Sequence, residues 1–580
     1  MAALRLSAYA AVAVHLCLLL SPSSSLRVRG LSESEEASTV RQGSYRTAYH
    51  FQPAKNWQND PNGPMYYKGV YHLFYQYNPH GATWSNVTIS WGHSVSVDLV
   101  NWGALDNALD PDSPFDANGC WSGSATFLPD GTPVMLYTGV NASNNQVQNL
   151  AFPKNASDPL LREWIKPTYN SVIPLPADVL NDNFRDPSTA WLGRDGLWRV
   201  AVSAQIKDSV ASTLIYRSKD FRRWERNAEP LYSSGAAGMV ECPDLFPVAE
   251  PGIQNGLDLV PPNRAARHVL KLSVMATHQD YYVVGRYDDA ADTFALVGAY
   301  NDCRTWHRFD YGHVYASKSF YDAGKKRRVL WSWANESDPE PVYIARGWAG
   351  VQTVPRKIWL ASDGKQLLQW PIEEIETLRK TRVGLLGAEV NAGGMKEIIG
   401  VAGTQADVEV VFEIPALDGA ENLDPNQLLD PQRLCGEKGA SVPGGVGPFG
   451  LLVLASSDLQ EHTSIFFRVF RHAGKYKVLM CTDLRRSTKR ADVYKPPYGG
   501  FVDIDIEKES GISLRTLIDH SVVESYGGGG RAVITARVYL EHEETNTNRM
   551  LMFNNRTGMV KVSKLDAWEL KAANVNVPVV

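Results

Sequence analysis

Short apolar runs separated by turn residues fill most of the chain. From Tyr49 onward, runs rich in Val, Tyr, Phe and Trp alternate with Gly, Asp, Asn and Pro. Examples are 70–76, 133–138, 198–203, 269–274, 280–286 and 328–334. Strands of this composition at regular spacing are typical of all-β proteins. Because no amphipathic helical pattern of useful length interrupts them, the chain predicts an all-β fold.

A weak internal repeat points to repeated sheet units. Segments 96–102 and 218–224 share the pattern Ser-x-Asp-apolar-x-x-Trp after a β-like run. Their separation corresponds to two units of about sixty residues each, the size of a four-stranded propeller blade with long loops. We therefore interpret residues 45–370 as a β-propeller.

The pattern changes at 371–386. Pro371 opens this segment, glutamates fill the next turns, and Arg379 and Lys380 follow, an order that suits the helix dipole. A helical linker is predicted here. Alternating strands separated by turn clusters such as 527–530 return over 387–580 and predict a second all-β domain, a β-sandwich.

The first 44 residues differ from the rest. Arg5 precedes an apolar run over 8–20, and small residues occupy 21–25, as in a secretory signal spanning 1–25. Residues 26–44 are polar and acidic and predict a flexible lead-in. The apolar run is too short for a membrane span, and no later stretch approaches twenty apolar residues. We expect a cleaved signal and no membrane partner.

Charge and composition argue against some classes of binding partner and favour another. The 580-residue chain has a formal net charge of -5, which gives no electrostatic footprint for nucleic acid or an anionic membrane. Its 16 Trp, 25 Tyr and 18 Phe residues are a rich aromatic supply, typical of β-rich folds and sugar-binding clefts. We expect a small carbohydrate as the partner, no nucleic acid, and a monomer.

Asn-x-Ser/Thr sequons support passage through the secretory pathway. Their acceptor residues are Asn86, Asn141, Asn155, Asn335 and Asn555. Of the six cysteines, Cys17 lies in the predicted signal, and the others show no metal-binding spacing, so no metal or cofactor is expected. Cys435 and Cys481 are the disulfide candidates because they share the late region of the chain. The pairing of Cys120, Cys242 and Cys303 stays open.

Three carboxylates stand beside turn residues at the ends of β-like runs. Asp60 lies in Asn59-Asp60-Pro61, Asp186 in Arg185-Asp186-Pro187, and Glu241 precedes Cys242-Pro243. Taken singly, each fits an ordinary strand-end turn. In a propeller, however, loops on one face converge on the central channel. Three carboxylates without a metal or nucleotide motif indicate glycoside cleavage, in which one attacks the anomeric carbon and another protonates the leaving oxygen.

Four motifs resemble the signatures of glycoside hydrolase family 32, the family of plant acid invertases and fructan exohydrolases. They are 57–64, 121–124, 184–187 and 241–244, followed in order by 347–352, 355–356 and 519–524. The likeness runs from Tyr49 to the C-terminus. It implies a five-bladed propeller followed by a β-sandwich, and a retaining double displacement.

The resemblance also implies a role for each site residue. Asp60 matches the nucleophile, Glu241 the general acid/base, and Asp186 the carboxylate that holds the fructose hydroxyls and stabilises the transition state. Positions around the terminal fructose match Asn59, Gln76, Trp84, Ser122 and Arg185, and aromatic walls match Trp57 and Trp121. For Trp84 and Trp121, ordinary propeller packing is the alternative interpretation.

Segment 272–282 bears on the substrate. In plant cell-wall invertases the similar stretch carries an Asp that positions the glucose of sucrose, and a Lys three residues later. Here Met275 and Ala276 occupy the Asp position, and His278 or Gln279 that of the Lys. A site that hydrogen-bonds a hydroxyl loses discrimination when the partner becomes apolar. The pattern resembles fructan exohydrolases.

The sequence thus predicts a β-fructofuranosidase of the secretory pathway that releases terminal fructose from fructans. It would act in the apoplast, the cell wall or the vacuole, on β-2,1 or β-2,6 linkages. The alternatives are a cell-wall invertase that hydrolyses sucrose, a fructosyltransferase, and a catalytically silent sugar-binding regulator. The intact Asp60, Asp186 and Glu241 argue against the silent regulator.

Overall fold

The computed structural model describes residues 44–84, 88–208, 210–259, 267–296, 301–541 and 548–579. The predicted signal over 1–25, the lead-in up to residue 43 and the sequon at Asn86 lie outside these ranges. None of the helices in the described part of the chain is long and apolar enough to cross a membrane.

The first two blades are four-stranded antiparallel sheets whose innermost strands are β1 and β5. Blade 1 contains β1 (Asn56–Tyr67), β2 (Val70–Asn78), β3 (Ser90–Ser96) and β4 (Gly103–Leu109). Blade 2 contains β5 (Cys120–Phe127), β6 (Pro133–Val140), β7 (Gln146–Pro153) and β8 (Trp164–Ile165).

Blades 3 and 4 are also antiparallel. Blade 3 contains β9 (Val179–Arg185), β10 (Trp191–Leu192), β11 (Trp198–Ile206), β12 (Val210–Ser218), β13 (Glu225–Arg226) and β14 (Tyr232–Ser234). Its inner edge is broken, since β9 and β10 both pair with β11. Blade 4 contains β15 (Val240–Val248), β16 (Arg267–Val274), β17 (Gln279–Asp288), β18 (Thr293–Leu296), a 3-10 turn (Cys303–Thr305) and β19 (His307–Arg308).

Blade 5 closes the ring. It contains β20 (Val314–Asp322), β21 (Arg327–Ala334), α1 (Glu340–Arg346), β22 (Trp348–Ala349), β23 (Val351–Gln352), β24 (Arg356–Leu360) and β25 (Leu367–Pro371). Short strand β22 leaves its own blade and pairs in parallel with β1, so that Ala349 lies opposite Trp57. The end of the propeller is thereby joined to its beginning.

Two packed sheets follow the propeller. A 3-10 helix (Glu373–Leu378) leads into β26 (Arg379–Val390), β27 (Met395–Glu397), β28 (Gln405–Glu413), β29 (Glu421–Asn422), a second 3-10 helix (Pro425–Leu429) and α2 (Pro431–Glu437). The remaining sandwich strands are β30 (Phe449–Ala455), β31 (Thr463–His472), β32 (Lys475–Asp483), β33 (Pro497–Val502), β34 (Gly511–Asp519), β35 (Val522–Gly527), β36 (Ala532–Arg537), β37 (Arg549–Asn554) and β38 (Val560–Leu570). The last strand, β39 (Val577–Pro578), returns to the propeller and pairs in parallel with β4 of blade 1.

One sheet has the order β26-β38-β28-β34-β35-β36, and the other β27-β37-β30-β31-β32-β33 with β29 beside β31. Alternate residues of both sheets point inward and form one large apolar core, which includes Val408, Val410, Phe449, Leu451 and Phe467. The predicted all-β architecture of a five-bladed propeller followed by a β-sandwich is confirmed.

The predicted helical linker over 371–386 is wrong in its second half. The acidic stretch does form a helix, but it is a 3-10 helix that ends at Leu378. From Arg379 the chain is already in β26, where Arg379 lies opposite Leu570. Pairing with β38 along the sheet outweighs the weak local helix preference, because tertiary context routinely overrides propensity.

The predicted disulfide is present in the sandwich. Cys435 on α2 is joined to Cys481 on β32, with a Cα–Cα distance of 5.8 Å. Among the described residues, Cys120, Cys242 and Cys303 are free thiols, and all three are buried.

A buried charge network joins the sandwich to the start of the propeller. The Asp519 carboxylate accepts hydrogen bonds from the backbone N–H groups of Ala48, Tyr49 and His50 at 2.6–2.9 Å. The His50 ring contacts Asp519 through Nδ1 at 2.8 Å and Glu524 through Nε2 at 3.0 Å. The late motif 519–524 therefore anchors the segment that leads into β1.

Candidate active site

The innermost strands of all five blades are irregular where they meet one cavity. Register shifts flank Asp60 on β1, Ser122 on β5, Cys242 on β15 and Ala316 on β20. In blade 3 the break between β9 and β10 begins at Asp186, whose φ of 64° lies in the left-handed region. Bulges re-aim side chains that a regular strand would direct across the sheet. The turn residues in the motifs create these irregularities.

The cavity has a volume of about 260 Å³. It brings together eleven of the residues singled out from the sequence: Trp57, Asn59, Asp60, Gln76, Trp84, Trp121, Ser122, Arg185, Asp186, Glu241 and Met275. Its remaining wall is formed by His278, Tyr315, Trp333 and Asn335. Residues from all five blades, which are far apart in the sequence, thus line one cavity.

Asp60 is held by a chain of hydrogen bonds. The Trp57 indole N–H donates to Asn59 Oδ1 at 3.0 Å, and Asn59 Nδ2 donates to Asp60 Oδ1 at 2.9 Å. The Ser122 hydroxyl donates to the other carboxylate oxygen at 2.6 Å. Asn59 and Ser122 therefore hold one carboxylate oxygen of Asp60 each, and Asn59 is in turn held by the Trp57 indole.

Asp186 lies against the Cys242 turn. The backbone N–H of Cys242 donates to Asp186 Oδ2 at 3.0 Å. The Cys242 thiol lies between two carboxylates, 3.6 Å from Asp186 Oδ2 and 3.7 Å from Asp60 Oδ2. Burial, followed by the charges of Asp186 and Asp60, raises the pKa of this thiol well above its usual value. Cys242 is therefore a neutral donor between the two acids.

Glu241 has a cation on one oxygen and a phenol on the other. Arg185 Nε donates to Oε1 at 2.8 Å, and Nη2 of the same guanidinium forms an ion pair with that oxygen at 2.8 Å. The Tyr315 hydroxyl donates to Oε2. Both carboxylate oxygens are thus oriented by donors from neighbouring blades.

The acids are crowded. Burial, then the charge of Asp186, raises the pKa of Asp60 to about 7, although the hydrogen bond from Ser122 opposes the shift. Burial also raises the pKa of Asp186, against the attraction of Arg185. Burial and mutual repulsion therefore favour a retained proton on the Asp60 and Asp186 pair in mildly acidic solution.

Aromatic side chains form two walls. Trp57 packs against Trp333 and Tyr343 at ring distances of 5.8 and 5.6 Å. Trp84 lies 5.8 Å from Trp121 and is 39% exposed at the cavity. An exposed indole that lines a cavity is not core packing, so the packing alternative does not hold for Trp84.

The Met275 turn forms one rim. Met275 is 42% exposed, and its sulfur lies 3.7 Å from Arg185 Nη2. Three residues later, His278 lies in the left-handed region with φ 48° and its ring stands 5.4 Å from that of Tyr315. Ala276, the other predicted specificity residue, is exposed and is not among the residues that line this cavity. Its role in specificity stays a prediction.

Three cavity residues were missed or misread in the sequence. The segments that contain Tyr315 and Trp333 show no pattern beyond that of other strands of the propeller, and Asn335 is recognisable in the sequence only as a sequon. Tyr315 precedes the irregular position of its innermost strand, as Glu241 does on β15. The position just before the irregularity in the innermost strand of a blade was therefore the sequence signal that could have identified Tyr315.

The described sequons differ in setting. Asn155 is exposed, and Asn141 accepts two backbone hydrogen bonds in its own turn. Asn335 lies in the cavity wall, and Asn555 Nδ2 donates to the carbonyl oxygen of Ala440 at 3.1 Å. Glycosylation of all five sequons stays a prediction.

Comparison with known proteins gives concordant results. The Glycosyl hydrolases family 32 N-terminal domain matches residues 50–371, and the Glycosyl hydrolases family 32 C terminal domain matches residues 374–569. A fructan 6-exohydrolase of Triticum aestivum is 69% identical, covering 98% of each chain. The insoluble isoenzyme 7 of β-fructofuranosidase from Oryza sativa subsp. japonica is 68% identical, covering 99% of this chain and 96% of its own.

Solved structures include a similar enzyme. Fructan 1-exohydrolase IIa of Cichorium intybus superposes with a TM-score of 0.88 at 49% identity, covering 92% of this chain and 99% of that chain. A variant of the same protein has been solved in complex with 1-kestose, with the same similarity to this chain.

Proposed function

Because the chain belongs to glycoside hydrolase family 32, we propose that it is a retaining β-fructofuranosidase that releases terminal fructose from fructans. The observation that carries this proposal is the convergence of Asp60, Asp186 and Glu241 on one cavity of about 260 Å³. Its aromatic walls suit a sugar ring, since Trp57 and Trp84 line the same cavity as the carboxylates.

In the first step Asp60 attacks C2 of the terminal fructosyl unit while Glu241 gives its proton to the glycosidic oxygen. The C2–O bond to the leaving sugar breaks, its electron pair goes to the protonated oxygen, and a fructosyl ester forms on Asp60. The hydrogen bonds from Asn59 and Ser122 hold the attacking carboxylate in place.

In the second step Glu241, now ionised, takes a proton from water as the water oxygen attacks C2. The ester bond breaks, and Asp60 leaves as a carboxylate. The charge of Asp186 stabilises the positive charge that develops on the ring in both transition states. Gln76 Oε1 and Trp333 Nε1 belong to residues that line the cavity, and both atoms are buried without a hydrogen-bond partner among the described residues.

The leaving-group side favours a fructan chain over sucrose. Met275 offers no charge or hydrogen-bond acceptor comparable to a carboxylate at the rim, and it leaves the rim open. The name of the wheat relative is consistent with this choice, whereas the rice relative is named as a β-fructofuranosidase. Sucrose hydrolysis is therefore the second candidate.

Initial rates of fructose release from inulin, levan and sucrose at equal concentrations of terminal fructose test the proposal. We expect at least one fructan to be hydrolysed faster than sucrose, and the ratio of inulin to levan gives the linkage preference. A clear preference for sucrose over both fructans would instead identify an invertase. Synthesis of oligofructans at high sucrose would identify a transferase.

The silent-regulator alternative is tested with Asp60→Ala. We expect the wild type to turn over fructans and the variant to bind them without turnover. Absence of turnover in both proteins, with binding retained, would support a binding role.

We also propose that the chain enters the secretory pathway by a signal over 1–25 and acts as a monomer in the apoplast, cell wall or vacuole. The plant invertase and fructan exohydrolase relatives support this route. Light scattering of the purified protein tests the monomer, and N-terminal sequencing of the protein secreted by a plant cell tests the signal.

A further inference from the structure

We propose that the buried pair of Lys271 and Asp280 is a positioning element that holds Glu241 and Tyr315 in place for protonation of the leaving group. The inference rests on the proposed function, because it concerns the acid/base of that reaction. Neither residue lines the cavity, and each is only 1% exposed.

Lys271 lies on β16 and its ammonium group has four close neighbours. It donates to the carbonyl oxygens of Cys242 at 3.1 Å and Ser317 at 2.7 Å, and to the Ser273 hydroxyl at 2.7 Å. The Asp280 carboxylate lies 3.5 Å away. The ammonium group thereby joins the turn after Glu241 to the turn after Tyr315.

Asp280 on β17 completes the arrangement. Its Oδ2 accepts the backbone N–H of Ser317 at 2.7 Å, and its Oδ1 accepts the Ser273 hydroxyl at 2.5 Å. The Ser317 carbonyl oxygen is therefore hydrogen-bonded by Lys271, and the Ser317 N–H is hydrogen-bonded by Asp280.

These bonds fall where two innermost strands lose their ladder partners. The register of β15 shifts between Glu241 and Asp244, and that of β20 shifts between Tyr315 and Lys318. Cys242 and Ala316, with φ of 45° and 55°, lie in those shifts. A bulge leaves backbone groups unpaired, and a buried unpaired group is costly. The pair supplies the missing partners to both bulges at once.

The two bulges present the groups that meet in the cavity. Glu241 immediately precedes one of them, Tyr315 immediately precedes the other, and the Tyr315 hydroxyl donates to Glu241. The Cys242 N–H in the first bulge also orients Asp186. Loss of the ammonium group would release both bulges and misplace the proton donor relative to the glycosidic oxygen.

This role predicts a dependence on the leaving group. Natural sugars are poor leaving groups and need protonation, whereas p-nitrophenolate leaves without it. Misplacing a general acid therefore slows formation of the fructosyl ester from the natural substrate much more than from p-nitrophenyl β-D-fructofuranoside. General acid catalysis contributes about 10²–10⁴-fold.

The test compares wild type, Lys271→Met and Asp280→Asn on both substrates. For each variant we expect kcat/KM, which reports formation of the fructosyl ester, to fall by at least about tenfold on the natural fructoside, within the range of acid catalysis, and to fall much less on the p-nitrophenyl fructoside. Asp292→Asn is the matched control, because Asp292 forms a fully buried pair with Arg199 away from the cavity. We expect it to lower Tm without changing the ratio of the two rates.

Equal losses of kcat/KM on both substrates, or no loss in either folded variant, would overturn the positioning role. Failure of both variants to fold, with a folded control, would equally overturn it and assign the pair to stability. A wild type inactive on both fructosides would instead refute the proposed function on which the inference rests.

Discussion

At the scale of single residues, crowding of acids is the main feature of the site. Burial and two neighbouring carboxylates oppose the charge of Asp60, whereas the hydrogen bonds from Ser122 and Asn59 favour it. The balance leaves its pKa raised to about 7. Such tension between stability and function is common at active sites, where groups are held in arrangements that the fold alone would not favour.

Replacing Asp60 by Asn should abolish activity and stabilise the protein at alkaline pH. We expect kcat to fall by about 10⁴-fold or more, as when an enzymatic nucleophile is removed. The folded-state pKa of about 7 exceeds the ordinary value of 3.8, so between those values the folded protein retains a proton that the unfolded chain releases. Wild-type stability therefore falls as pH rises through this window, and the uncharged variant avoids the loss.

Thermal unfolding at pH 4 and pH 8 checks this prediction. The gain of Asp60→Asn over the wild type should reach up to about 4 kcal/mol at pH 8 and be small at pH 4, where both side chains are neutral. A variant less stable than the wild type at pH 8 would contradict the proposed electrostatic strain.

Replacing Met275 by Asp should shift preference toward sucrose. A carboxylate at this exposed rim position would offer the acceptor that Met275 lacks. One hydrogen bond to a charged group contributes about 1.5–3 kcal/mol, so the sucrose-to-inulin ratio of kcat/KM should rise by about tenfold or more. Met275→Leu is the control and should leave the ratio unchanged. An equal ratio in all three proteins would exclude Met275 as a specificity residue.

At the scale of elements, the catalytic bulge of β1 depends on the strand that closes the ring. Gln352 Nε2 donates to the Asn59 carbonyl oxygen at 2.5 Å, next to the nucleophile. The Gly350 N–H donates to Glu336 at 2.7 Å. Gly350 has φ 88°, and a Cβ there would lie 1.8 Å from the Gln58 carbonyl oxygen. The motif 347–352 thus supports β1 from behind.

Gly350→Ala should therefore damage both stability and activity. The added Cβ meets backbone that cannot move without displacing Asp60, so we expect destabilisation of more than about 3 kcal/mol and loss of activity in any protein that folds. Gly69→Ala is the matched control, with φ 87° and nothing within 4 Å of the new Cβ. It should cost only the backbone strain of about 1 kcal/mol. Similar Tm and activity for the two variants would contradict this role of Gly350.

At the scale of the whole molecule, buried charges join the two domains. Glu524 accepts from Arg356 at 2.8 Å and from the Val354 N–H at 2.7 Å, both in the propeller. The Glu524 carboxylate also accepts a hydrogen bond from His50 Nε2 at 3.0 Å. The His50 ring donates hydrogen bonds to the Asp519 and Glu524 carboxylates, and these bonds outweigh burial and raise the pKa of His50 to about 9. The domain interface therefore depends on a histidinium ion.

His50→Gln should remove an alkaline dependence of stability. The folded-state pKa of about 9 exceeds the ordinary value of 6.5, so the contribution of His50 is complete below pH 6.5 and is lost as pH rises through 9. We expect the wild type to lose about 3 kcal/mol from this group over that window, and the variant to lose none of it.

The measurement is Tm against pH from 6 to 10. His72→Gln serves as the control, because burial lowers the pKa of His72 to about 4 and this ring is already neutral throughout the range. Parallel curves for the wild type and His50→Gln would refute a charged His50 at the interface.

The periodicity of apolar residues and the chemistry of turns were enough to predict the all-β class and the three carboxylates. Both depend on neighbours in the sequence: alternation sets which face of a strand is buried, and Asn, Asp, Pro and Gly set where the strand bends. The five blades, and the roles assigned to individual residues, came from the resemblance of the motifs around those bends to a known family.

Tertiary structure decided which strands pair and which residues line the cavity. The 371–386 segment has a helix-like pattern, yet its second half is a strand because β38 offers it a partner. Tyr315 and Trp333 have no distinctive local pattern, and they line the cavity because ring closure brings blade 5 beside blade 1. Met275 lines the cavity, whereas its neighbour Ala276 is exposed and does not belong to the lining, because both lie at a turn. Local sequence determines how each strand ends, and the closed ring determines which ends meet.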